Sequence, residues 1–178
     1  SNILIRDKGF NGIIIKLGKG FNQFKIDENK LMVGASVLDI NLSNFAYKNK
    51  IQGFEFFSGI PGTVGGAIKM NAGCFGSETN DVIDSIEVYN EKFQKKIINN
   101  RDLSLSYRSS NIKDTQIISK AIFKINYGNS LDIKEKMKNI KNHRLSTQPI
   151  KNKTSGSTFK TPKNMFAAKS IEDSGCKG

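Results

Sequence analysis

Residues 59–76 read GIPGTVGGAIKMNAGCFG and hold six of the chain's 16 glycines. Glycine loses more chain freedom on folding than any other residue and brings no side chain to pack, so a dense cluster marks tight turns or a close approach of backbone to something else. Pro61 fixes one turn and Gly62 completes it, and Thr63 is placed to cap a short helix through Val64, Gly65, Gly66 and Ala67. A helix start of this kind presents free N–H groups and a partial positive charge, which suit a diphosphate, and Gly65 and Gly66 would let it lie flat on the backbone. A glycine-lined packing contact between sheet and helix explains the same composition, and spacing alone leaves both readings open. Two known phosphate loops do not fit. No glycine of the stretch is followed by Lys, as GxxxxGK[ST] requires, and the G-x-G-x-x-G spacing between a strand and a helix is missing.

Outward from this stretch the pattern changes by segment. Residues 3–34 alternate short β-type runs (ILIRD, GIIIKL, FNQFKI, KLMVGA) with Gly or Asn turns, as strands of a sheet do. In SVLDINLSNFAYKNK, Leu38, Leu42 and Phe45 share a helical face, and Ser36 with Asp39 makes a capping-box start for a helix over Val37 to Lys48. IDSIEVYNEKFQKKII predicts a hairpin turning near Asn90 to Lys92, with Ile83, Ile86 and Val88 inward. A short helical turn capped by Asn100 follows, then a long strand in TQIISKAIFKINY. A helix from Ser130 with Ile133, Met137, Ile140 and Arg144 on one stripe ends before Pro149. Strands far outnumber helices before residue 127, which makes the class α+β.

Composition narrows the function classes. Hydrophobic residues make up 37% and charged residues 25%, and no apolar run approaches the roughly 18 residues of a membrane-spanning helix, so no membrane insertion is expected. The formal charge of +12 comes from lysines spread over the whole length. No compact basic motif with interleaved aromatics accompanies them, so nucleic acid is not an expected partner. Cys74 and Cys176 lack metal-type spacing and have one histidine, His143, to help them, which argues against zinc and for a reducing, cytoplasmic compartment. The opening Ser1 to Asp7 has no initiator methionine and enters a strand pattern directly, and SIEDSGCKG stops just after a helical pattern. A piece of a longer chain is expected.

Four motifs in order resemble one family. SGIPGTVGGAIKMNAGCFG is similar to the flavin-binding signature of the UDP-N-acetylenolpyruvoylglucosamine reductases, Ser1-Asn2 with ILIRD to the end of their GGGSN loop, LSYRSS to their YRxS motif, and STQPIKNKTSGSTFKTP to their TQP…GSxFK block. IEDSGCKG resembles the helix that follows. The resemblance spans essentially the whole chain and implies a two-lobed FAD-binding domain of the PCMH or vanillyl-alcohol-oxidase type followed by the start of an α+β substrate-binding domain. The expected divisions are 1–50 for the first lobe, 51–127 for the second, and 128–178 for a linker helix and the truncated substrate domain.

By the same resemblance, FAD is reduced by NADPH and passes hydride to the enolpyruvyl double bond of a UDP-sugar. Cofactor contacts fall on Ser1, Asn2, Ile60, Pro61, Gly62, Thr63, Val64, Gly65, Gly66, Asn71, Ala72 and Gly73, although the Asn71 side chain could equally cap a turn. Arg108 matches the arginine that stabilises the enolate formed by hydride attack. Ser157 matches the proton donor, a weak acid that needs help from neighbours. Tyr107, Lys160 and Thr161 are implied at the substrate, with Lys160 acting by charge or on a phosphate. Thr161 stands where the family usually has Asn, and the substrate tyrosine of the longer family variant has no counterpart, which points to the shorter variant. The family's acidic catalytic partner lies beyond Gly178; Glu172 is expected to face solvent. His143 is expected on a solvated helix position, while Arg144 and Gln148 belong to the R…TQP segment at the nucleotide or the domain boundary. An oxidase of the same fold and a non-catalytic basic binding module are the alternatives.

Overall fold

The computed structural model describes residues 5–148, 159–161 and 165–176. In chain order these form β1 (Phe24–Asp27), β2 (Lys30–Gly34), α1 (Asp39–Lys48), β3 (Ile51–Gln52), a 3-10 turn (Glu55–Gly59), α2 (Val64–Lys69), β4 (Gly73–Cys74) and β5 (Ser77–Glu78). They continue through α3 (Thr79–Val82), β6 (Ile83–Tyr89), β7 (Lys95–Asn99), β8 (Ile117–Lys124), β9 (Asn126–Tyr127), α4 (Ser130–Thr147) and α5 (Ala167–Asp173). The class is α+β.

Five strands pair antiparallel in the order β1-β2-β8-β6-β7. Successive side chains of a strand point to opposite faces, so register decides what is inside. Leu31 lies opposite Phe123, Val33 and Ile86 opposite Ala121, and Val88 opposite Ile118; all of these are buried. Against this inner face pack α1, α2 and the 3-10 turn. Phe54 and Phe57 meet Phe123 edge-on, with centroids 5.4 and 6.1 Å apart, the geometry aromatic rings prefer. Each large apolar side chain buried this way contributes about 1.5–3 kcal/mol.

The outer face mixes charged residues with Met32, Ile97 and Ile122. Glu87 sits there within 3.3 Å of Lys95 and 3.7 Å of Lys120, and it accepts a 2.8 Å hydrogen bond from the Ser119 hydroxyl. Burial pushes its carboxyl up, and Ser119 with the two lysines outweighs that and holds it below its ordinary value.

Several expectations hold. The β6–β7 hairpin turns over Asn90–Gln94, where the Asn90 Oδ1 accepts from the N–H groups of Lys92 and Gln94, and Ile83, Ile86 and Val88 are buried. Helix α4 starts at Ser130 and stops before Pro149 as expected; its cap, which the pattern did not name, is Asn129, whose side chain accepts from the Leu131 N–H.

Others are corrected. The expected strand over Gly12 to Leu17 does not form: Ile13, Ile14 and Ile15 are 88%, 70% and 62% exposed, and this segment has no strand partner among the described residues, without which a strand has no ladder. ILIRD lies partly outside the described residues. Helix α1 starts at Asp39, not Val37, and no Ser36–Asp39 capping box forms; Leu38 takes the N-cap because it bridges to Thr63, while the Ser36 hydroxyl donates to the Gly18 carbonyl at 3.3 Å. Asn100 caps nothing by its side chain, which donates instead to the Asn80 carbonyl at 3.4 Å. The β1–β2 hairpin, assigned by sequence to a first lobe ending at residue 50, is hydrogen-bonded into the same sheet as β6 and β8.

Candidate active site

The glycine stretch wraps around α2, and its glycines divide by what a side chain would meet. At Gly65 a Cβ would lie 3.1 Å from the Ala35 Cβ and 3.2 Å from its carbonyl oxygen. At Gly73 it would lie 2.5 Å from the Ser77 carbonyl oxygen, and at Gly59 3.0 Å from both the Cys74 Sγ and the Ile140 Cγ2. These are packing glycines. Gly66 differs: its would-be Cβ meets only the Thr63 Oγ1 at 3.6 Å, and the residue is exposed.

The amides divide the same way, which corrects the expected free N–H groups at the helix start. Val64 N–H donates to the Val37 carbonyl and Gly65 N–H to the Ala35 carbonyl, each at 2.9 Å, while the Gly62 carbonyl accepts from Asp39 N–H at 3.0 Å. This lacing fixes the turn to the strand end ahead of α1. Thr63 occupies the N-cap but its hydroxyl makes no capping bond. Among the described residues, the amides of Thr63 and Gly66 have no hydrogen-bond partner. The face open to a ligand therefore narrows to Pro61, Thr63 and Gly66.

Two buried polar groups flank α2, one against the turn at its start and one just past its end. Asp39 is fully buried, neither carboxylate oxygen has a partner, and its Oδ2 is 2.9 Å from where a Gly62 Cβ would sit. Burial pushes its carboxyl up to about 7. The sequence reading gave Asp39 to a capping box; the signal it missed is that Asp39, Leu42 and Ala46 share the buried stripe of α1. Asn71, at φ 41, accepts from the Asn80 N–H at 3.0 Å, so it caps a turn, and its Nδ2 is buried without a partner.

Arg108 reaches the same region from the loop between β7 and β8. Ser106 and Ser109 pair as an isolated bridge, leaving Tyr107 and Arg108 at the tip, with Arg108 at φ 54. The guanidinium lies 5.3 Å from the centroid of the Tyr107 ring. Thr161 N–H donates to the Tyr107 hydroxyl at 3.4 Å, and the Thr161 side chain, more than this backbone bond, holds Tyr107 below its ordinary value. Lys160 beside it is exposed.

Arg108 and Arg144 both act on Cys74 through their charge. Burial pushes that thiol up to about 11, against the pull of both guanidiniums. Arg144 donates to the Gly59 carbonyl and, at 3.1 and 2.9 Å, to the Gln148 Oε1, so it fastens α4 to the glycine stretch. Among the described residues no carboxylate comes within 4.0 Å of Arg108. His143 is exposed and packs edge-on against Phe75, centroids 5.1 Å apart, and Glu172 lies on the exposed side of α5. Ser1, Asn2 and Ser157 lie outside the described residues.

Among the described residues no cluster of three metal-ligating side chains is found, and no helix is long and apolar enough to cross a membrane. An open groove of about 700 Å³ lies elsewhere, on the outer sheet face around Lys30, Asp84 and Tyr127, and includes none of the residues above.

Comparison with known proteins adds the family. Residues 1–92 match the family described as "FAD binding domain". The chain belongs to the FAD-binding domain family. This FAD-binding chain is 46% identical over its whole length to the UDP-N-acetylenolpyruvoylglucosamine reductase of Rickettsia conorii and 44% identical to that of Rickettsia prowazekii, covering 60% of each. It therefore spans about 60% of the length of these curated relatives. A crystal structure of the reductase MurB from Thermus caldophilus superposes with a TM-score of 0.86 at 29% identity, covering 96% of this chain and 62% of that one. The FAD-binding chain has a donor set that fits its cofactor: the unengaged amides of Thr63 and Gly66 suit a diphosphate, and Gly66 brings no side chain to cover them.

Proposed function

We propose that the full-length protein is an NADPH-dependent reductase converting UDP-N-acetylglucosamine enolpyruvate to UDP-N-acetylmuramate for peptidoglycan, in the cytoplasm. The observation that carries this reading is the loop of Tyr107 and Arg108, tied through the Ser110 hydroxyl to the Lys69 carbonyl in the glycine stretch of an FAD-binding domain, in a chain 44–46% identical to proteins of that name. FAD, when bound, supplies the hydride. Pro61, Thr63 and Gly66 would hold it by backbone, with Ser1, Asn2, Ile60, Asn71 and Ala72 as further contacts by motif.

Arg108 has the chemistry the reaction demands. Hydride arrival at an alkene conjugated to a carboxylate builds negative charge, and a guanidinium without a carboxylate of its own stabilises that charge. The Tyr107 hydroxyl and Lys160 bind the sugar nucleotide, with Thr161 keeping a hydroxyl where the family has an amide. Ser157 delivers the proton. The unpaired thiols of Cys74 and Cys176 support a reducing compartment. We divide the chain into a first lobe joined to the second ahead of the β1–β2 hairpin, a second lobe to Tyr127, and the beginning of a substrate domain from Gly128.

The test compares NADPH oxidation driven by the UDP-sugar with oxygen consumption in the full-length protein. Oxygen consumption indifferent to the sugar would instead mark an oxidase of the same fold. Ser157→Ala is expected to keep its flavin and lose about 10²- to 10⁴-fold in turnover, the worth of a positioned proton donor; parent-like turnover would remove Ser157 from that role.

A further inference from the structure

We propose that Ser110 and Lys69 are positioning residues that set Arg108 against the cofactor-binding segment. The inference rests on the functional reading above for the role of Arg108, while the placement itself rests on geometry. The Ser106–Ser109 pair, with N–H···O distances of 3.1 and 3.0 Å, fixes Tyr107 and Arg108 only relative to each other. Arg108 also holds a left-handed φ of 54, which a residue with a side chain keeps only where its surroundings impose it.

The connection to the cofactor segment runs through the end of α2. Carbonyls in the last turn of a helix lack intrahelical partners, and the Lys69 carbonyl accepts a 2.8 Å hydrogen bond from the Ser110 hydroxyl, two residues after Arg108. The Lys69 ammonium returns across the same gap to the Ile112 carbonyl and, at 2.8 Å, to the Asp114 Oδ1. Ile112 and Leu103, near the two ends of the loop, are buried. Helix α2 begins at Val64, beside Thr63 and Gly66, and its six residues span about 9 Å. The flavin turn and Arg108 are thus held at opposite ends of one short rigid element.

Charge points the same way. The Lys69 ammonium is already paired, whereas Arg108 has no carboxylate within reach among the described residues. Of these two cations, the loop leaves Arg108 for an anionic substrate. Asp114 is 96% exposed in its side chain, so its ion pair counts for little, and the bonds to the Ser110 hydroxyl and the Ile112 carbonyl do the positioning.

The test uses the full-length flavoprotein, reduced with dithionite without oxygen and mixed with UDP-N-acetylglucosamine enolpyruvate. Ser110→Ala is expected to slow flavin reoxidation by about tenfold or more, since a displacement near 1 Å can cost about a hundredfold. Its flavin dissociation constant stays within about twofold, and Ser110→Thr, which restores the hydroxyl, recovers most of the rate. Lys69→Met moves in the same direction, and Asp114→Asn stays near the parent. An unchanged reoxidation rate in Ser110→Ala overturns the proposal, as does an equal loss of flavin affinity that Thr fails to restore. If the sugar does not reoxidise the parent flavin, the functional reading fails, and tryptic cleavage after Arg108 decides the placement. Cleavage about fivefold faster in Ser110→Ala, the effect of one lost hydrogen bond on local opening, upholds it. Unchanged cleavage overturns it.

Discussion

Replacing Asp39 with asparagine is expected to change how stability responds to pH. The carboxyl is fully buried with both oxygens unpartnered, and a charge without partners is costly in that setting. Its affinity for a proton therefore rises on folding, from an ordinary value near 3.8 to about 7. Below about pH 4 both the folded and unfolded chains hold the proton and the group contributes no pH dependence. Between about pH 4 and 7 the folded chain keeps a proton that the unfolded chain has released, so stability falls as pH rises, and above 7 the loss is complete. At about 1.4 kcal/mol for each tenfold in proton affinity, the whole loss is at most about 4 kcal/mol. A carboxamide in place of the acid has the same shape and does not titrate, though it would also lack partners, at a cost of about 1–3 kcal/mol at every pH. In urea unfolding followed by circular dichroism from pH 5 to 8.5, the parent should lose stability relative to Asp39→Asn, with the variant about 1–3 kcal/mol the more stable at pH 8.5. Glu87 and Asp114, both held below their ordinary values, titrate below this window and do not disturb the comparison. Parallel curves for parent and variant would refute the reasoning, because they would mean that Asp39 is either ionised throughout or partnered.

Other substitutions separate packing from ligand contact. Gly66→Ala, whose Cβ would make only an ordinary van der Waals contact with the Thr63 Oγ1 at 3.6 Å, should leave stability unchanged or raise it by up to about 1 kcal/mol while weakening FAD binding about tenfold or more by fluorescence titration; undiminished binding would move the cofactor off this face. Gly62→Ala and Gly65→Ala meet Asp39 and Ala35, and each should lose about 1–3 kcal/mol in thermal unfolding. Arg144→Met removes the donor to the Gly59 carbonyl, and faster amide hydrogen exchange throughout α4, with little change in the central sheet, is the expected result. Glu87→Gln should remove the stability that parent Glu87 contributes above its ordinary value and loses as pH falls through the lowered one, so the variant's acid-unfolding curve should be flatter below about pH 4.5.

The readable parts of the sequence were those where local pattern and tertiary context agree. Alternation from Ile83 to Val88 and over Ile117–Lys124 specified strands that lie side by side in the central sheet, and the Ser130 helix carried its own stripe and its own proline stop. The motif around Arg108 maps to a loop tip whose Ser110 hydroxyl bonds to the Lys69 carbonyl of the glycine stretch. What sequence could not supply was the pairing of distant backbone. Val64 and Gly65 looked like free donors because their acceptors, Val37 and Ala35, lie almost thirty residues earlier, and Gly65 looked like Gly66 until Ala35 was seen packed against one of them. Asp39 was misread for the same reason: a carboxylate three residues from a serine fits a capping box, and only the Leu38–Thr63 bridge removes that option. The isoleucines at 13–15 show the converse, β-type composition without a neighbour to make it a strand.

The packing of the Cys74 sulfur and of Ile140 on α4 against the same glycine, Gly59, makes Cys74 a built-in reporter. Its sulfur donates to the Phe56 carbonyl at 3.2 Å, and with its proton held so tightly the thiol resists alkylation while those elements stay together. With the exposed Cys176 replaced by serine, the rate at which a maleimide consumes the remaining sulfhydryl would count how often helix and loop separate, and bound nucleotide should slow that count.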